Sequence, residues 1–62
     1  MEACVYRVFR DDQINRTCGT LQGAKRSIEM MEQVERYEEA DGKVFAIVAG
    51  VRRYRIDLVP LR

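Results

Sequence analysis

One stretch of the chain is both long enough and periodic enough to be a helix of several turns: residues 20–41, TLQGAKRSIEMMEQVERYEEAD. Thr20 suits the N-cap, because its hydroxyl can accept from the free amides of a first turn. Gly23 stands where a capping box would place Glu or Gln, so the start is half specified. Leu21, Ala24, Ile28 and Met31 are spaced 3, 4 and 3 apart. On a helix they fall within an arc of about 80°, a compact core-facing stripe. Met30, Val34 and Tyr37 follow i, i+4, i+7 spacing on the neighbouring flank. The spacing therefore predicts a helix over about residues 20–40 with two apolar stripes. The second stripe is either the margin of a wide core face or a contact surface for a partner. Gly42 after Asp41 reads as the stop.

Charge along this stretch runs against the helix dipole. Lys25 and Arg26 lie early, and Glu35, Glu38, Glu39 and Asp41 crowd the late end. Each misplaced exposed charge costs on the order of 0.3–1 kcal/mol. Glu32 and Arg36, at i and i+4, return a few tenths. The crowded carboxylates form either a solvated face or part of a contact surface.

The flanking segments read as strands. Cys4–Arg10, CVYRVFR, is rich in β-branched and aromatic residues and lacks Gly and Pro. Asp11-Asp12 is a turn signal, and Gln13–Cys18 is a short strand pairing back on the first. Lys43–Ala49, KVFAIVA, has no polar face, as expected of a strand that is covered on both sides or central in its sheet. Gly50 marks a turn or bulge. In Arg52–Val59, Tyr54, Ile56 and Leu58 alternate with Arg53, Arg55 and Asp57, a half-buried strand with a basic outer row. Pro60 ends it.

The expected fold is α+β. One 62-residue domain is arranged β-β-α-β-β, with an antiparallel sheet packed on the single helix. One helix covers one face of such a sheet. Either Val44, Ala46 and Val48 or Phe45, Ile47 and Ala49 must face away from it. A bare apolar run there invites aggregation, so a second copy of the chain in a homodimer is the expected cover. A domain this small buries only about 60% of its unfolded surface, which also favours self-association.

Apolar residues make up 47% and charged residues 34% of the chain, the balance of a globular chain rather than a disordered one. Net charge is +1, so there is no global field for nucleic acid. The distribution is uneven: residues 29–41 carry six acids and one base, residues 43–62 five bases and one acid. No run reaches the roughly 18 apolar residues of a membrane span. Glu2 breaks the pattern of a secretory leader, and the cytoplasm is the expected compartment.

Chemistry-bearing groups are few. If Asp11-Asp12 is the hairpin tip, Cys4 and Cys18 lie near-opposite on neighbouring strands and could pair. A reducing compartment favours free thiols instead, and two thiolates without histidine make half a zinc shell. The carboxylates Glu35, Glu38, Glu39 and Asp41 come with no histidine, glycine-elbow serine or phosphate loop, so no enzymatic activity and no cofactor is expected. Arg52, Arg53 and Arg55 around Tyr54 have the basic and aromatic interleaving of nucleic-acid platforms. Exposed arginines also deter edge-to-edge strand pairing. Residues 42–48, GKVFAIV, are similar to the central strand motif of RNA-recognition domains. The second aromatic is missing at its spacing, and the chain is too short for a βαββαβ fold, so the chain does not read as a member of that family.

In size and layout the chain resembles the small α+β proteins that bacteriophages and mobile elements encode as inhibitors of host machinery. That resemblance implies steric blocking of another protein. The expected contact surface is Met30, Val34 and Tyr37 with Glu35, Glu38 and Glu39, where Met and aromatic anchors supply energy and charges tune specificity. The alternative is a small nucleic-acid-binding module using Arg52, Arg53 and Arg55.

Overall fold

A computed structural model of the chain describes residues 4–60. The elements are β1 (Cys4–Arg10), β2 (Gln13–Cys18), α1 (Leu21–Glu29), β3 (Arg36–Ala40), β4 (Lys43–Val48) and β5 (Val51–Pro60). The strands form a single antiparallel sheet in the order β2-β1-β5-β4-β3, with α1 packed against one face over β1, β2 and β5. This is the α+β domain that the sequence calls for, with one strand more and a shorter helix.

The three hairpins share one construction. Asp11-Asp12, Asp41-Gly42 and Ala49-Gly50 are two-residue connections, and all six residues have positive φ. Two left-handed residues in succession give a turn whose twist matches that of the strands it joins. Glycine adopts this conformation freely and aspartate tolerates it, whereas Ala49 bears a real steric cost.

The helix starts as expected. Thr20 is extended, and its Oγ1 accepts a 2.9 Å hydrogen bond from the Gly23 amide. It does not run to residue 40. It ends at Glu29 with Met30 as C-cap, and residues 36–40 become β3. Asp41-Gly42 is a hairpin turn and not a helix stop. A helix continued to residue 40 would leave the amides and carbonyls of β4 bare along one edge. Pairing Arg36–Ala40 with Lys43–Ile47 satisfies them and sets Tyr37 and Val34 against the core. The dipole conflict largely disappears in the shorter helix. Arg26 now lies in the last turn, where a cation is favourable, and Glu35, Glu38 and Glu39 are off the helix.

The core is built from Val8, Ala24, Ile28, Ala46, Val48, Tyr54 and Ile56. Leu21, Ala24 and Ile28 carry the predicted helix stripe, while Met31, beyond the helix end, is 45% exposed. The Tyr54 hydroxyl donates to Glu32 at 3.1 Å, and Glu32 also lies 3.7 Å from Arg10. Glu32 therefore does not form the helical pair with Arg36 that its spacing suggested. Cys4 and Cys18 are free thiols. A register shift in the β1–β2 ladder sets Cys18 opposite Tyr6, which leaves Cys4 past the end of the ladder.

Candidate functional site

The face of the sheet turned away from α1 carries the densest array of interacting charged and aromatic side chains. Its direction follows from alternation. Val8, Tyr54, Ile56 and Ala46 point to the core, so Phe9, Arg55 and Phe45 point outward. The ladders align them in one row across all five strands: Ile14, Phe9, Arg55, Phe45 and Glu38. On one side of that row Arg7 stands opposite Asp57, which lies 3.9 Å from Lys43. On the other side Ile47 stands between Arg36 and Arg52.

A register shift places Arg52 here. Between Ala46 and Ile47 the β4–β5 ladder skips Arg53, so Tyr54 pairs with Ala46 but Arg52 with Ile47. Strict alternation from Tyr54 would have turned Arg52 toward the core. The extra residue re-aims it onto the open face, a common use of a β-bulge.

The arginines lie on the aromatics. The Arg52 guanidinium carbon is 4.6 Å from the centroid of Phe45, and that of Arg55 is 4.4 Å from Phe9. Carboxylates hold both in place. Arg52 reaches Glu38 at 3.1 Å, and Arg55 binds Asp57 and Asp12, each at 3.0 Å. Glu38 also binds Arg36 at 3.0 Å. Hydrogen bonds from Arg36 and then Arg52 keep its carboxyl below the usual glutamate range. Phe9, Phe45, Arg52, Arg53 and Arg55 line a shallow cleft of about 200 Å³, closed at one end by the Asp11-Asp12 turn. The Arg53 Nε is buried without a hydrogen-bond partner among the described residues.

The expected protein-binding residues do not form one surface. Tyr37 is half-buried on β3, where its hydroxyl donates to Glu29 at 2.7 Å and lies 3.3 Å from the Lys25 carbonyl, with the Lys25 ammonium 4.8 Å from its ring. Burial, then the Glu29 hydrogen bond, pushes its ionisation far above that of an ordinary tyrosine. Val34 packs on the core margin. Met30 is 82% exposed at the helix end, next to the exposed Met31, with Glu35 exposed in the loop beyond. Glu38 belongs to the open face, and Glu39 is exposed one residue later on the edge strand. The three stripe residues separate because Met30 caps the helix and Tyr37 lies in a strand, so helical spacing no longer relates them.

On the helix side, a groove of about 420 Å³ lies between Leu21 and the β3–β4 hairpin, floored by Tyr6, Val44, Ile56 and Leu58. Among the described residues no cluster of three or more His, Cys, Asp or Glu side chains is placed to hold a metal ion, and no helix is long and apolar enough to cross a membrane.

The sequence singles out Arg52, Arg53 and Arg55 but not Phe9, Phe45, Arg7 and Arg36, which the sheet places on the same face. Phe9 was legible from its parity opposite Val8. Phe45 was not, because its strand is apolar on both faces. No protein-family model matches the chain, and no curated protein or solved structure matches it either.

Proposed function

We propose that this chain is a binding module whose working surface is the helix-free face of the sheet, and that its ligand is nucleic acid. One observation carries the reading: two arginine–phenylalanine pairs lie in and beside a single row on an uncovered sheet face. Aromatic and guanidinium planes offer stacking surfaces to bases, and surrounding cations offer contacts to phosphates. Arg7, Arg36, Lys43, Arg52 and Arg55 stand on this face against Glu38 and Asp57, with Asp12 reaching Arg55 from the β1–β2 turn, whereas Glu29, Glu32, Glu35 and Glu39 lie elsewhere. A chain of net charge +1 thus presents a locally basic surface. The test is fluorescence anisotropy of labelled DNA and RNA oligonucleotides at low salt. Binding is expected, and it should weaken in an Arg52→Ala, Arg55→Ala double variant. Absence of any anisotropy change with the native chain at about 50 mM salt overturns the reading.

A second reading keeps the protein ligand, acting by steric occlusion of a partner, and draws on the exposed Met30-Met31 pair beside Glu29 and Glu35. Flexible, polarisable methionines rimmed by charge suit a protein contact. A stoichiometric partner that survives nuclease treatment, and is lost with Met30→Glu, would support this reading over the first.

A further inference from the structure

We infer that the ligand of the open face is single-stranded and gives up two unstacked bases to it, one over each phenylalanine–arginine pair. The inference rests on the nucleic-acid reading and narrows it. Phe9 on β1 and Phe45 on β4 flank Arg55 in one cross-strand row, so the two rings stand two strand spacings apart, about 9–10 Å. Both rings belong to a broad five-stranded sheet. A helix or a two-stranded ribbon fits the major groove of a duplex, and a sheet of this width does not. A duplex also buries the faces of its bases against one another, where Phe9 and Phe45 cannot reach them. An unpaired strand presents those faces directly.

The charges on this face point the same way. Arg36 and Arg52 are paired with Glu38, Arg55 with Asp12 and Asp57, and Lys43 lies 3.9 Å from Asp57. Guanidiniums already compensated by carboxylates release few counterions when a phosphate approaches. Among the described residues, Arg7 and Arg53 have no carboxylate within ion-pair distance and are left for the backbone. Two such phosphate contacts to a single strand correspond to a slope of log affinity on log salt of about −1 to −2, well short of an electrostatically driven binder. The carboxylates thus act as orienting groups: they hold each guanidinium over its ring as part of the stacking surface.

The experiment compares one sequence as a single strand and as a blunt duplex, by anisotropy with the native chain across a salt series. A 2-aminopurine base in the single strand reports stacking. The expected results are a preference of about tenfold or more for the single strand, a shallow salt slope and a change of 2-aminopurine emission on binding. Phe9→Leu and Phe45→Leu, which keep apolar bulk without a π face, should each lose about tenfold in affinity. Arg52→Lys, which keeps the charge but not the plane, should lose affinity at an unchanged salt slope. Equal or tighter binding of the duplex overturns this inference and leaves the nucleic-acid reading standing. Binding of neither form removes both.

Discussion

At the scale of single residues, the backbone and the phenols give the sharpest expectations. Ala49 has φ +53° in its turn, a conformation that costs an alanine roughly 1 kcal/mol and that asparagine adopts readily. Ala49→Asn should stabilise the fold by about 1 kcal/mol and raise the melting midpoint by about 4–8 °C, read by thermal circular dichroism. An unchanged midpoint would mean that the turn carries no such strain. Tyr37 and Tyr54 titrate above the ordinary tyrosine range, each through burial and then a hydrogen bond to a glutamate. An acid whose folded pKa is raised holds its proton more tightly in the native state. Its contribution is therefore complete below about pH 10 and is lost as pH rises further. Stability should fall along an alkaline limb above about pH 10. Tyr37→Phe should flatten that limb, checked by urea unfolding at two alkaline pH values, and should cost about 1 kcal/mol at neutral pH.

At the scale of elements, the helix N-terminus contains a conflict that a double-mutant cycle can resolve. A Cβ added at Gly23 would sit 2.9 Å from the Thr20 Oγ1 that caps the helix. Gly23→Ala alone gains about 1 kcal/mol of helix propensity but must disturb a cap worth about the same. It should therefore be near neutral. In a Thr20→Ala background the same change should stabilise by about 1 kcal/mol, a coupling read from chemical unfolding. Additive effects would show that the cap and the glycine are independent. The elements also show what local sequence encodes. The strands β1 and β2, the helix start and the core of β5 were legible from alternation and capping. The helix end was not. Residues 36–40, RYEEA, have little strand propensity, and only pairing with β4 makes them a strand. A local signal was nonetheless present, since Asp-Gly before an apolar run is a strong two-residue hairpin cue. Helical spacing reaching Tyr37 concealed it. The bulge that turns Arg52 outward left no sequence signal, because it depends on the register between two strands.

At the scale of the molecule, a one-helix, one-sheet domain must deal with a second sheet face that no element among the described residues covers. The apolar run of β4 suggested another copy of the chain as the cover. In the structure Phe45 and Ile47 do face away from α1, yet Ile47 is only 2% exposed and Phe45 lies under the Arg52 guanidinium. Arginine is suited to this role: its stem and flat head cover apolar surface while its charge remains hydrated and resists face-to-face association. The same two arginines thus protect the face and, on the proposed reading, present it to bases. Truncating both separates the roles. Arg52→Ala, Arg55→Ala should bare Phe9 and Phe45 together, enlarging an exposed apolar patch on a flat sheet. Sedimentation velocity over a concentration series should then show association that is stronger than in the native chain, while the unfolding free energy falls by no more than the roughly 1 kcal/mol that exposed ion pairs contribute. If the mass distribution of the variant matched that of the native chain at every concentration, the guanidiniums would not be what keeps this face from its own kind.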